Sequence, residues 1–411
     1  MTTLDIDFVR AQFPAFEQEN LRGWGFFENA GGSYACKQVI DRLTRYYRET
    51  KLQPYGPYPA AQRAGKEMDS ARARLAALLN VETGELSFGP STSQNTYVLA
   101  NAFASNMKAG DEIIVTNQDH EANSGVWRRL EGQGVTVREW QVDPQTGSLD
   151  LDDLESLLNE HTKLVTMPHC SNIVAEINDV AAAAKMTHDA GAVLVVDGVS
   201  FAPHGLPDIT ATGADIYLFS LYKTFGPHQG AMVVRNHLHD KLVNQGHYFN
   251  ADYSDKRFTP AGPDHAQISA INGLVDYYET IYAHHFDEKA EPTEQARQVN
   301  ALFVAHEREL AELLLNWLRT RNDIRILGPV IADNRAATIA LQTNRSALDI
   351  ATELADHKIM AGASDFYAVR LLEAMNVPTG HTGPCALRLS FVHYTSKDEI
   401  DQLISALDKV L

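Results

Sequence analysis

Four short stretches of this chain carry side chains that could do chemistry together. In Asp215-Ile-Tyr-Leu-Phe-Ser-Leu-Tyr-Lys-Thr-Phe-Gly-Pro an apolar run delivers Lys223 at its end, just before a Gly-Pro turn. An amine placed there is desolvated, which lowers its pKa and favours the neutral nucleophile that forms a Schiff base. Asp197 closes a second apolar run, Val193-Leu-Val-Val, 26 residues before that lysine. A buried carboxylate of this kind can keep a pyridine nitrogen protonated. Phe88-Gly-Pro-Ser-Thr-Ser-Gln-Asn opens a helix with Thr92 and Ser93 in its first turn. Hydroxyls and free N–H groups at a helix N-terminus suit a phosphate. His120 follows the run ending at Thr116 and offers a ring for stacking. Each feature also has an ordinary use, as a snorkelling lysine, a capping aspartate, a Ser/Thr N-cap or a loop histidine. Taken together, at the ends of successive strands, they match the needs of one cofactor, pyridoxal 5'-phosphate (PLP).

The elements that must position these groups are legible in outline. Strands are expected at 112–116, 135–142, 163–168, 192–197, 215–220 and 230–235, with helices at 92–107, 151–158 and 180–190. Val193–Val196 is continuously apolar, as a strand covered on both faces should be. Strand alternating with helix indicates an α/β fold with a mostly parallel, doubly wound sheet, whose ligands bind at the carboxyl ends of the strands. After about residue 275 the texture changes. One or two helices over 277–319 precede strands at 324–327, 337–341 and 386–391, and a helix begins near Ser396. The expected organisation is an N-terminal segment (1–20) packing on the small domain, a large cofactor-binding α/β domain (21–285) and a smaller α+β C-terminal domain (286–411).

The pieces Phe27-Glu-Asn-Ala-Gly-Gly, Pro90-Ser-Thr-Ser, Asp119-His-Glu-Ala-Asn, His169-Cys-Ser-Asn, Val195-Val-Asp-Gly, Ser220-Leu-Tyr-Lys-Thr-Phe-Gly-Pro and Leu387-Arg-Leu-Ser run almost the length of the chain. In that order they resemble the class V aminotransferase family of fold-type-I PLP enzymes, in particular its cysteine desulfurase-like members. The resemblance implies that Lys223 carries the cofactor, Asp197 pairs with the pyridine nitrogen and His120 stacks on the ring. It implies that Thr92, Ser93, Ser220 and Tyr222 hold the phosphate. Asn172 would lie near the ring hydroxyl or the substrate carboxylate, and Ser200 stands where the family has a glutamine contacting the ring oxygen. Arg388 would take the substrate carboxylate bidentately, with the Ala30-Gly31 backbone close by. The segment Arg257-Phe-Thr-Pro-Ala-Gly-Pro-Asp matches one that reaches a neighbouring subunit, so a homodimer is implied.

One departure matters. Cysteine desulfurases carry a nucleophilic cysteine on a small-domain loop, whereas here that stretch is Met360-Ala-Gly-Ala-Ser-Asp-Phe-Tyr, with Tyr367 at about the cysteine's position. Cys385 lies close to Arg388 but on the strand entry, and Cys170 is expected as a buried strand-end thiol. The expected activity is therefore that of a PLP-dependent carbon–sulfur (β-elimination) lyase acting on an amino acid. Transamination is the alternative, and true desulfuration, epimerisation and non-catalytic PLP binding stand behind both. Asp365, Tyr367, Tyr55, Tyr58 and Arg63 are candidates for the substrate pocket.

Composition narrows the field further. The chain has 411 residues, 44% hydrophobic and 21% charged, with 35 basic against 53 acidic residues and a net charge of −18. Such a surface repels phosphate backbones and anionic lipid, so nucleic-acid and membrane partners are not expected. No apolar run reaches the roughly 20 residues of a membrane span. Three scattered cysteines make neither a disulfide framework nor a zinc site. No metal is expected, the pairs His237/His239 and His284/His285 being read as solvated surface. The N-terminal residues lack a signal peptide's pattern, and the expected location is cytoplasmic.

Overall fold

The computed structural model describes residues 2–380 and 383–411. In chain order its strands are β1 (Gly25–Phe27), β2 (Leu86–Gly89), β3 (Glu112–Thr116), β4 (Thr136–Trp140), β5 (Thr162–Pro168), β6 (Val193–Asp197), β7 (Ile216–Ser220), β8 (Gly230–Val234), β9 (Ile324–Leu327), β10 (Thr338–Thr343), β11 (Ile359–Ser364) and β12 (Ala386–Ser390). Seven of them form one sheet in the order β2-β8-β7-β6-β5-β3-β4. All neighbours in it are parallel except β8, which runs antiparallel to β2 and β7.

Apolar sequence on successive residues explains the layering. Side chains alternate across a strand, so Val195 packs on one face with Leu99, Phe103 and Trp127, while Leu194 and Val196 pack on the other with Leu274, Phe303 and Leu75. A sheet buried on both faces needs such unbroken runs. Among the helices on its faces are Thr92–Ala104 and Val180–Asp189, each within three residues of its expected ends, and Glu121–Arg128, a helix that was not expected.

A second sheet has the order β1-β11-β12-β10-β9. It is antiparallel apart from β1, which joins β11 in parallel. Through that pairing the residues after Phe27 come alongside β12, where Glu28 bridges Ser390. The helices Pro292–Leu318, Ala347–Asp356 and Lys397–Val410 cover one face with Leu314, Ile350, Leu354 and Leu403. Ile173, Val174 and Leu371 cover the other.

Several elements differ from expectation. The expected helical stretch 277–319 is two helices, His265–His285 and Pro292–Leu318, the first capped by Asp264 and starting well before Tyr277. It is buried on nearly every side, so it has no polar face to produce a helical period. Two further helices, Lys37–Glu49 and Pro59–Leu78, pack on it. The histidine pairs are not simply solvated. His284 stacks on Phe8 at 3.6 Å and pairs with Asp5 at 2.9 Å, and His285 Nε2 accepts from Asp5 N. His237 pairs with Asp215, and His239 is buried against Val234 O. Among the described residues no cluster could hold a metal ion, and no helix is long and apolar enough to cross a membrane. Residues 5–13 contact both the helix His265–His285 and the chain's C-terminal residues. Arg10 bonds Glu399 and Tyr394 O, while Phe13 packs on Phe225, Tyr277 and Tyr394.

Candidate active site

A cleft of about 110 Å³ opens at the carboxyl edge of the seven-stranded sheet, lined among others by Thr92, Ser93, His120, Asn172, Asp197, Ser200, Ser220, Tyr222 and Lys223. Lys223 ends a single 3₁₀ turn, Leu221–Lys223, directly after β7. The turn is locked by Thr224 Oγ1 donating to Ser220 O at 2.8 Å and by Ser33 Oγ donating to Tyr222 O at 3.0 Å. The lysine amine has no hydrogen-bond partner among the described residues, and burial lowers its pKa to about 8, with nearby Arg388 lowering it too and Asp197 opposing.

Asp197 sits at the end of β6, beside β7, in register with Leu218. Its Oδ1 accepts from Val199 N at 2.8 Å. Burial raises its pKa to about 6, a rise resisted by that hydrogen bond and by Lys223. His120 caps the helix Glu121–Arg128, its Nδ1 accepting from Ala122 N at 3.0 Å. Burial, with Lys223 and Arg388, holds the ring neutral with a pKa of about 3. A neutral ring is suited to stacking on a pyridine. Behind it the buried Asp119 is held by Thr116 and Asn123, and burial raises its pKa to about 8.

At the other end of the cleft the helix Thr92–Ala104 begins. Ser91 spends its side chain on Gln94 N, leaving the earlier N–H groups of the first turn without intrahelical partners. Thr92 Oγ1 and Ser220 Oγ stand 2.8 Å apart. Gly230 on β8 packs against this turn so closely that a Cβ would lie 2.5 Å from Thr92 N and from Ser91 C. Tyr222 stacks on His228 with ring centres 4.6 Å apart. A partnerless amine, a buried carboxylate, a neutral ring and an open helix N-terminus with hydroxyls fit an aldehyde-bearing pyridine with a phosphate arm.

Ala30 and Ser200 line a narrow second opening that shares Lys223 with the main cleft. Gly31 lies beside them, its missing Cβ leaving room for Glu28 Oε1, which a methyl there would approach to 2.8 Å.

Arg388, expected to take the substrate carboxylate, is engaged by the protein's own groups. It is 3% exposed, and Nη2 donates to Glu28 Oε1 at 2.8 Å while Nη1 donates to Asn172 O at 3.3 Å. Its guanidinium lies 3.8 Å over the Phe366 ring. Glu28 was visible as an acid directly after the apolar Phe26-Phe27, the one signal that could have singled it out. Sequence reasoning also missed Asp119, His228 and Phe366, which no spacing rule marks.

The Asp365–Tyr367 loop is tied across the cleft. Asn172 Nδ2 donates to Phe366 O at 3.0 Å, Glu121 N donates to Tyr367 O at 2.8 Å, and Arg370 pairs with Glu121. The Tyr367 ring is 5.2 Å from that of His120. Asp365 Oδ1 accepts from Tyr367 N and so shapes the loop. Tyr55, Tyr58 and Arg63 are absent from the cleft lining: Tyr55 bonds Asp69, Tyr58 precedes the helix Pro59–Leu78, and Arg63 pairs with Glu49. All three cysteines are buried. Cys170 lines the cleft, but burial pushes its thiol up to about 12, and Sγ donates to Ala175 O.

A family described as "Aminotransferase class-V" matches residues 25–403. The aminotransferase-like protein FGM3 of Gibberella zeae is 32% identical over 423 residues, covering 100% of this chain and 99% of that protein. A probable cysteine desulfurase of Halobacterium salinarum is 28% identical, covering 99% and 96%. Among solved structures, the apo cysteine desulfurase of Thermococcus onnurineus NA1 superposes with a TM-score of 0.85 at 21% identity, covering 100% of this chain and 98% of that one.

Proposed function

Given that the chain belongs to the class V aminotransferase family, whose members are PLP-dependent enzymes, we propose that it is a carbon–sulfur lyase acting on an amino-acid-type substrate. The residues assigned to the cofactor are Lys223 at its aldehyde, Asp197 at its pyridine nitrogen and His120 against its ring. Thr92, Ser93, Ser220 and Tyr222 are assigned to its phosphate, and Asn172 and Ser200 to the ring's oxygen side. Bound there, the cofactor supplies an electrophilic carbon and a ring that accepts electrons.

The protein's own groups divide the remaining work. Lys223, with a pKa of about 8, is partly neutral near physiological pH and can take the proton from the substrate's α-carbon. Asp197, ionised above about pH 6, holds positive charge at the foot of the cleft. Arg388, paired with Glu28, and the Ala30–Gly31 backbone are assigned to the substrate's carboxylate. Loss of the α-proton and departure of a β-sulfur substituent as thiolate leave an enamine, which water converts to a keto product and ammonia.

The observation that carries elimination is the absence, among the described residues, of an exposed thiol. Tyr367 occupies the loop facing His120, and Cys36, Cys170 and Cys385 are all buried, with burial raising each thiol's pKa. A leaving sulfur then passes to solvent. Transamination is the second reading, supported by the 32% identity to an aminotransferase-like protein. Free buried thiols are in keeping with a reducing, cytoplasmic compartment. A homodimer is supported by the exposed aromatics Tyr248, Phe249 and Tyr253, which lie next to the Arg257–Asp264 segment.

The test is to incubate the PLP-loaded protein with a panel of amino acids and cysteine conjugates while assaying keto acid, thiol and absorbance. Keto acid and thiol in equal amounts without an added acceptor are expected. Loss of the visible band, restored by a keto acid, would establish transamination instead.

A further inference from the structure

A phosphate monoester carries about two negative charges at neutral pH, so the end of the cleft assigned to it has to supply more than hydroxyls. The helix Thr92–Ala104 offers about half a positive charge at its N-terminus, and Thr92, Ser93 and Ser220 offer neutral donors. Asp119 and Asp197, which also line the cleft, work against an anion. Arg388 is not among the lining residues and pairs with Glu28. Among the described residues that do line the cleft, the basic side chains are His120, Lys223 and His228. Lys223 is assigned to the aldehyde. His120 is held neutral, with a pKa of about 3, and its Nδ1 accepts from Ala122 N. Only His228 is left to bring charge to the phosphate.

The backbone carries His228 to that end of the cleft. Gln229 N donates to Pro227 O at 2.8 Å, which makes His228 the middle residue of a three-residue turn between Leu221–Lys223 and β8. Leu221 N fixes the turn from one side by donating to Gln229 O at 2.9 Å. On the other side Gly230 packs on Ser91 and Thr92, and its O accepts from Asn95 Nδ2 at 3.1 Å. The turn is thereby pinned to the start of the helix assigned to phosphate. The His228 ring lies on the Tyr222 ring, with centroids 4.6 Å apart and planes within 11°. Stacking fixes the ring by its face and leaves both nitrogens free at its edge, without a hydrogen-bond partner among the described residues. A phenol face also attracts a charged ring more than a neutral one.

We infer that His228 is a phosphate-binding residue, the one that brings positive charge to the cofactor's phosphate. Imidazole can carry a proton on both nitrogens, and an adjacent anion favours that form. One charge-assisted N–H to a phosphate oxygen then adds what the hydroxyls and backbone amides lack. This inference rests on the reading of Lys223 as the cofactor-bearing amine and of the Thr92 helix as the phosphate's seat.

The test compares PLP with pyridoxal, which has the same aldehyde and pyridine and no phosphate. Each is titrated into the cofactor-free protein, and the concentration that develops half of the visible band is read. The ratio of the two concentrations reports the phosphate's share of binding. His228 is exposed, so its replacement leaves the core untouched. His228→Gln removes the charge and is expected to lower the preference for PLP over pyridoxal about tenfold, weakening PLP and leaving pyridoxal unchanged. His228→Lys is expected to keep most of the preference. A preference unchanged in His228→Gln would overturn the inference, and so would an equal loss of both ligands, which would make His228 a packing residue. Equal losses of preference in the two variants would show that charge at this position is not what the phosphate meets. Wild-type protein that develops no band with either ligand refutes the cofactor reading and takes this inference with it. A wild-type preference for PLP that survives in His228→Gln refutes this inference alone.

Discussion

Lys223 should weaken the fold that holds it. Its amine stands in the cleft without a hydrogen-bond partner, and its pKa falls from a free value of 10.5 to about 8, chiefly through burial. At about 1.36 kcal/mol per pH unit the difference amounts to about 3 kcal/mol at neutral pH, charged against the folded state. The folded value lies below the unfolded one, so the amine's full contribution to stability is present above pH 10.5. That contribution is lost as the pH falls through about 8. Lys223→Met keeps the length of the side chain and removes the charge. The value of about 8 already contains the opposing attraction of Asp197, so the net stabilisation of the cofactor-free protein is roughly 3 kcal/mol at pH 7. By pH 9.5 the advantage shrinks to about 1.5 kcal/mol, because that pH is close to the unfolded amine's own value. Urea unfolding of cofactor-free wild type and variant at pH 6.5, 8 and 9.5 measures it. A variant no more stable than wild type at pH 6.5, or a difference that does not change with pH, would show that burial does not tune this amine.

Two other expectations come from packing. Gly230→Ala drives a methyl into the backbone at Ser91 and Thr92, so it should displace the helix N-terminus assigned to phosphate and weaken PLP retention about tenfold or more, read as the PLP concentration that restores the visible band. Phe303 is fully buried, stacks on His393 at 3.5 Å and packs on Tyr277 and Tyr278, so Phe303→Ala should cost about 3–5 kcal/mol in urea unfolding while leaving the cleft residues in place. A loss under about 1 kcal/mol would mean that the cavity collapses freely.

The sequence by itself determined the large sheet and much of the cleft. Runs such as Val193–Asp197 and Ile216–Ser220 announce strands buried on both faces, and a parallel sheet gathers the residues just beyond its strand ends at one edge. That is why Asp197, Lys223, His120 and Thr92 can be grouped from the sequence alone. The long helix His265–His285 was only half legible, because burial on nearly every side removes the polar face that period-reading needs. Tertiary structure alone decided what Arg388 does. Its partner Glu28 lies 360 positions away in sequence and meets it only because β1 joins a sheet built mainly from the chain's last hundred residues. The same holds for the loop at Tyr367, whose ties to Asn172 and Glu121 belong to the other sheet's edge. Local periodicity records which face a residue buries. Which charge neutralises an anchor depends on strands brought together from opposite ends of the chain, and that pairing leaves no trace in local pattern.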